Sequence, residues 1–479
     1  MNKSNIKSKE LLKNTFIVAV GKICTQFISF FLLPLYTALL TTKEYGVVDL
    51  LNTYVSLFIP DVFLQVEEAV FRFLIDVRNN DEEKNKIISS TFFFIFLQAL
   101  VFLVLYLIIS TFINNEYKYF LAVNIITAMF SLFFLQVSRG SGDNATFSLG
   151  SLISGAGTII FNVLFIVVFK LGAYGMLFAT MIANISCALF VFFKKKLFYC
   201  ISLKNFDRYL LKKILKYSIP LVPNQLSWWI INASDRTLVT YILGIGINGI
   251  YSASNKFSSI CITLFNIFNL TWTESASVYI NDSDSSKYFS SVFNTAIRIF
   301  STLCLCIIIF MPFLFKFMIT GASFALAYYQ IPILLIATFF NIIVSMIGAI
   351  YVALKKTAEI SKTSIYAAII NIIINVCLIK FIGLYAASIS TLIAYLSMAL
   401  YRYIDVQKYI KIKLDFKYFI SIIILFVLSL FVYYTRINLL CTLWAIIVFV
   451  YLLINNYSVI KKFSNILISK INHKSISDN

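Results

Sequence analysis

A chain of 479 residues with 60% hydrophobic and only 13% charged residues falls outside the water-soluble globular class, in which about a quarter are charged. Its formal net charge of +19 would suggest nucleic acid in a soluble protein. Here the basic residues stand between long apolar runs, so positive-inside membrane topology accounts for them and no nucleic-acid partner is expected.

Lys3 to Lys13 form a basic stretch leading into a first span too long for the apolar core of a signal peptide. Spans are predicted at about 14–40, 46–71, 87–110, 117–138, 147–169, 174–193, 217–243, 249–273, 293–319, 328–353, 360–381, 384–403, 416–435 and 438–457. The chain is therefore expected to be an all-α polytopic membrane protein of about 14 transmembrane helices. Pro60-Asp61 interrupts the second span, and Asp235 and Arg236 interrupt the seventh.

Cations cluster in the N-terminal stretch, from Arg72 to Lys86, from Lys194 to Lys216, from Lys355 to Lys362, from Arg402 to Lys417 and in the C-terminal tail. The alternate turns hold only Lys43, Lys118, Lys170, Lys316, Lys380 and Arg436, so the richer side, with both termini, is expected to be cytoplasmic. The stretch KKKLFYCISLKNFDRYLLKK from Lys194 reads as a solvated connector whose basic residues lie at headgroup level.

The second half resembles the first. LTTKEYGVVDLLN from Leu40 aligns with LGIGINGIYSASN from Leu243, which matches Gly46 to Gly249. NVLFI at Asn162 matches NVCLI at Asn375, and GAYGMLFAT at Gly172 matches GLYAASIST at Gly383. A duplicated six-helix unit gives a six-helix N-lobe at 1–200, a pseudo-symmetric C-lobe at 201–411, two added helices at 412–457 and a basic cytoplasmic tail at 458–479.

All six prolines fall in predicted spans. Pro332 is expected in a harmless first turn, whereas Pro34, Pro220 and Pro223 fall in the first helix of each repeat, where kinks could gate a cavity. The cysteines show no C-x-x-C, and His473, the only histidine, lies in the tail, so metal and disulfide readings fail. Walker A, G-x-S-x-G and H-E-x-x-H are missing too, which argues against an enzyme.

Charges inside the spans carry most of the functional signal. Arg236 is expected ~12 Å below the outer boundary, Lys256 ~10 Å deep in the next helix, and Lys22 ~13 Å along the first helix from Lys13. A lone centre-placed Arg or Lys costs at least about 2.5 kcal/mol, so each needs snorkelling, an ion pair or water. Three such cations suggest an aqueous cavity suited to phosphate or pyrophosphate. Asp235 and Arg236 point roughly 100° apart on a helix, so each is expected to find a partner elsewhere. Asp61 is a candidate for proton or sodium coupling or for pairing, as is Asp235. Glu68 is placed to pair with Arg72. Asn52, Asn162, Asn255, Asn371 and Asn375 read as interhelical hydrogen-bonding groups.

Asp235-Arg236 followed by LGIGINGIYSASNKF resembles the start of the second lobe of polysaccharide-repeat flippases. NIIINVCLIKFIGLYAASIST from Asn371 is similar to their eleventh and twelfth helices, and VEEAVFRFLID from Val66 to the end of their second. Across nearly its whole length the chain resembles the Wzx-type branch of the multidrug/oligosaccharidyl-lipid/polysaccharide exporter superfamily. The resemblance implies a bacterial inner-membrane flippase that carries undecaprenyl-pyrophosphate-linked oligosaccharide for O-antigen or capsule. It also implies alternating access, partnership with polysaccharide assembly machinery and no cofactor. Rival readings are a flippase for lipid II or teichoic-acid precursors, a drug exporter with twelve spans and an acidic site, and a polymerase with a large outer loop.

Overall fold

The computed structural model describes residues 30–280, 282 and 284–477, and its described residues form helices joined by short turns, without strands. The helices gather into two compact units.

The first unit takes in the chain up to Ala253, with Ile319–Ala325 and Ile379–Leu384. It holds α1 (Leu33–Leu39), α2 (Thr42–Phe63), α3 (Val66–Asp76), α4 (Asp81–Ser110), α5 (Lys118–Gly140), α6 (Asn144–Asn162), α7 (Gly172–Lys194), α8 (Leu197–Cys200), α9 (Arg208–Ser218) and α10 (Val222–Leu243). The start of α11 (Ile245–Tyr279) completes it. Helix α7 packs on α5 and α6, α3 on α5, and α10 on α2. Phe63, Val66, Ala69, Val70 and Leu74 share a core with Met129, Phe133 and Val137.

The second unit holds the rest of α11, α12 (Ser285–Met318), α13 (Ala327–Ala353), most of α14 (Thr357–Ile382), α15 (Tyr385–Val406), α16 (Phe416–Thr435) and α17 (Asn438–Ser477). Here α13 packs on α12 and α15, and α12 on α16 and α17. The most apolar stretch of α13 is 94% buried in protein, so this helix forms the middle of its unit. The connection Lys411–Asp415 is tied along α12: Asn294 donates to Lys413 O at 2.8 Å, and Arg298 to Asp415 Oδ2 at 2.6 Å.

Ten described helices are long and apolar enough to cross a membrane, which makes this an all-α, multi-pass membrane protein. Helices α10, α11 and α15 fall outside that set because polar residues lower their hydropathy, although each has at least 22 residues, or about 33 Å. The first predicted span lies mostly outside the described residues.

Several expectations need correction. The second span breaks at Leu64-Gln65, where both residues take φ of 55°, and not at Pro60-Asp61, which lies inside α2. Left-handed backbone costs a non-glycine residue about 1–2 kcal/mol, so packing of the flanking Phe63 and Val66 must hold the break. Arg72 pairs with Asp76 at 2.6 Å, while Glu68 accepts from Gln136 Nε2 at 3.0 Å across to α5. Pro332 is the sixth residue of α13 and leaves Tyr328 O without its helical donor; the Tyr433 hydroxyl donates to that oxygen at 2.8 Å. Arg402, counted among the cytoplasmic cations, is not free in solvent. It is 1% exposed within α15, donating to Val344 O at 3.0 Å and Thr363 Oγ1 at 2.9 Å.

The three prolines expected to bend the first helix of each repeat stand at helix starts. Pro34 is in the first turn of α1, Pro220 in the 3-10 turn Ile219–Leu221, and Pro223 in the first turn of α10, where a missing N–H costs nothing. The connector before α9, expected to be solvated, is also tied to α4: Ser89 donates to Cys200 O at 2.7 Å, and the Asp207 amide donates to Ser90 Oγ at 2.8 Å.

Candidate functional site

Helix α2 starts at a capping box, with the Glu44 amide donating to Thr41 Oγ1 at 3.2 Å and the Thr41 amide to Glu44 Oε2 at 2.8 Å. One turn on, Gly46 meets the start of α11. A Cβ on Gly46 would lie 2.0 Å from Ile245 O, and one on Gly249 would lie 2.1 Å from Thr42 O. The approach is reciprocal: each glycine touches the residue four positions before the other. These are the glycines that the sequence match aligns, and only hydrogen as a side chain permits this approach.

The crossing places the next turn of α2 beside α10. Asp49 and Thr53, one turn apart, face Trp229 and Arg236, two turns apart. Arg236 Nε lies 3.4 Å from Asp49 Oδ2, and Arg236 Nη1 donates to Thr53 Oγ1 at 3.1 Å. Trp229 Nε1 donates to Thr53 O at 2.9 Å, so both ends of that residue are held by α10. From α11, Asn248 Nδ2 donates to Gly46 O at 3.1 Å and reaches Asp49 Oδ2 at 3.4 Å. Asp235, 3% exposed, accepts from the Tyr251 hydroxyl at 3.2 Å.

The adjacent acid and base thus have separate partners, as their helical angle requires. Arg236 keeps 26% of its side chain exposed, and Asp49 keeps 13%. A guanidinium carries five donors in a rigid fork, and one ion pair and one hydroxyl do not saturate it. Chemically, the cluster can hand a half-buried guanidinium from a carboxylate to another anion.

The remaining expected site residues are Asp61, Lys256 and Lys22. Asp61 is two turns beyond Thr53 on α2, half-buried, with its Oδ1 unpartnered. Lys256 is half-buried on α11 and belongs to the second unit. Lys22 lies outside the described residues. Asn371 Nδ2 reaches Thr391 Oγ1 at 3.4 Å between α14 and α15, an interhelical bond of the expected kind. Asp49 escapes a reading of the sequence, since an acid seven residues into a helix looks like a boundary residue. Its place one turn before Thr53 and one turn after Tyr45 is the signal that could have found it.

A family model described as polysaccharide biosynthesis protein matches residues 11–273. Among solved structures, the lipid II flippase MurJ in an inward closed conformation matches with a TM-score of 0.67 at 17% identity, covering 93% of this chain and 100% of that one. An inward-facing multidrug resistance MATE family transporter of the MOP superfamily matches with a TM-score of 0.66 at 14% identity, over 81% of this chain and 96% of that one. A MOP superfamily transporter from Pyrococcus furiosus matches with a TM-score of 0.56 at 13% identity, over 82% and 96%. At these identities the likeness is one of fold. No curated protein sequence matches the chain.

Proposed function

The chain belongs to the polysaccharide biosynthesis protein family, and on that premise we propose that it is a flippase for undecaprenyl-pyrophosphate-linked oligosaccharide repeat units. It works in the bacterial inner membrane, with both termini cytoplasmic, and supplies an O-antigen or capsule type of polymer. The observation carrying this reading is the half-buried Arg236, held against Asp49 and Thr53 inside a multi-pass bundle. Diphosphate binds a guanidinium fork well, and its two negative charges would displace the single Asp49 carboxylate. Lys256 and Lys22 are further candidate cations for the diphosphate. The sugar occupies the cavity while the polyprenyl tail stays in lipid. Lobes 1–200 and 201–411 rock about the binding region, as parallel-repeat transporters do. Pro34, Pro220 and Pro223 mark the joints that bend, and proton or sodium binding at Asp61 or Asp235 couples the cycle to a gradient.

The test is leaflet transfer in proteoliposomes, offering an undecaprenyl-pyrophosphate oligosaccharide and a cationic dye side by side. Protein-dependent transfer of the lipid-linked sugar alone supports the flippase. Transfer of the dye alone would move the assignment to drug export and leave Arg236 as a structural pair.

A further inference from the structure

Helix α9 has two different faces. Ile214 is fully buried where the helix packs against α3 and α4. Arg208, Leu211, Lys212 and Leu215 fall at i, i+3, i+4 and i+7, so they share another face. With Tyr209 they line a shallow, open groove along the helix surface. Leu211 and Leu215 are half-buried and form an apolar floor, while Arg208 and Lys212 stand exposed one turn apart at its rim.

Along the helix itself this charge has no acidic neighbour. No carboxylate occurs between Asp207 and Asp235. Asp207 is engaged as the helix cap, its Oδ1 accepting from the amides of Tyr209 at 2.8 Å and Leu210 at 3.0 Å. On the connector and the helix it leads into, Tyr199, Leu203 and Tyr209 are 74%, 75% and 69% exposed, a mixture of aromatic and apolar groups beside lysines that suits a membrane interface. Lys213 lies over the Tyr209 ring at 4.6 Å. A floor of leucine beneath paired cations fits a molecule that is itself part chain and part phosphate.

We propose that the α9 groove binds an anionic phospholipid of the leaflet it faces, with the phosphate between Arg208 and Lys212 and the upper acyl chain over Leu211 and Leu215. The connector is tied to α4 through Ser89 and Ser90, and α9 leads through the Pro220 turn into α10, which carries Arg236. A lipid in the groove therefore sets the pose of the joint before the candidate site.

The test is native mass spectrometry of the full chain in detergent with short-chain phosphatidylglycerol or phosphatidylcholine, for wild type and for R208Q/K212Q. Wild type should prefer phosphatidylglycerol by about tenfold or more, as expected for two basic residues at an anionic headgroup. The double glutamine variant should lose that preference, and R208K/K212R should keep it. Should the glutamine variant not fold, added salt on the wild type must erase the preference. Equal binding of both lipids, or a preference unchanged in R208Q/K212Q, would overturn the proposal. So would displacement of phosphatidylglycerol by inorganic phosphate, which would mark a free-anion site, or its outcompetition by undecaprenyl phosphate, which would mark a site for the carrier lipid.

Discussion

Arg236 shows how an unusual residue can be legible while its partner is not. A guanidinium in the middle of a membrane helix stands out against its own neighbours, because hydrocarbon makes it costly without a partner. Asp49 is 187 positions away and looks ordinary in its local context; only the α2–α10 packing makes it the counter-charge. If the pair is a substrate switch, Arg236→Gln should insert normally and slow leaflet transfer by at least about tenfold, or ~1.4 kcal/mol of lost transition-state stabilisation. Asp49→Asn should act oppositely on binding, lowering the half-saturating concentration of the lipid-linked sugar. Equal losses in both variants, with lowered melting temperatures, would mean that the pair only holds the helices together.

Asp143 offers a residue-scale test of stability alone. It caps α6 through the Thr146 amide at 3.0 Å and the Thr146 hydroxyl at 2.8 Å, and it pairs with Lys195 at 3.2 Å. Burial pushes its carboxyl up, but the Thr146 bonds and Lys195 outweigh that and hold it below the usual carboxylate range. A depressed carboxyl stabilises the fold above its unfolded value of about 3.9, and the contribution is lost as pH falls through the folded value. Asp143→Ala should destabilise by about 1 kcal/mol at neutral pH, and Asp143→Asn by less, because it keeps a cap. Melting curves in detergent from pH 7 downward check this: the gap between wild type and Asn should narrow below pH 4 and close once the pH is below the folded value.

At the scale of elements, the Gly46–Gly249 crossing joins a sequence observation to a geometric one. Repeat matching pairs these glycines, and the fold presses their helices together reciprocally. Gly172, the first residue of α7, and Gly383, two residues before α15, are also aligned by the repeat, and both take positive φ, 54° and 59°. The obstruction around Gly46 is backbone, which cannot rotate away, so Gly46→Val forces the helices apart. The expected cost is about 1–3 kcal/mol of overpacking together with impaired transfer. Unchanged melting and transfer rates would show that the crossing opens freely. The break at Leu64-Gln65 was illegible for the opposite reason: neither residue type favours turns, and the left-handed pair exists only because the surrounding core holds it.

For the whole molecule, coupling is the property most open to test. Asp61 has a buried oxygen without a partner on α2, which suits a site that gains and loses a small cation. Asp61→Asn should leave insertion intact and remove the response of transfer rate to an imposed proton or sodium gradient. A variant that still responds to both would exclude that role.

Composition and the spacing of apolar runs were enough for the membrane class, the helical fold and most helix positions, because a bilayer admits few structures and imposes a minimum length. The repeated glycines and the intramembrane Arg236 were visible for the same kind of reason, since each breaks a local rule at evident cost. What only the tertiary structure decided were pairings: Asp49 with Arg236, Tyr251 with Asp235, Gln136 with Glu68, and Tyr433 with the carbonyl freed by Pro332. It also set Arg402, counted among the cytoplasmic cations, into a buried set of carbonyls and hydroxyls. Such pairings join residues far apart in the chain, and their free energy depends on distance and burial, which helix packing sets and local sequence does not encode.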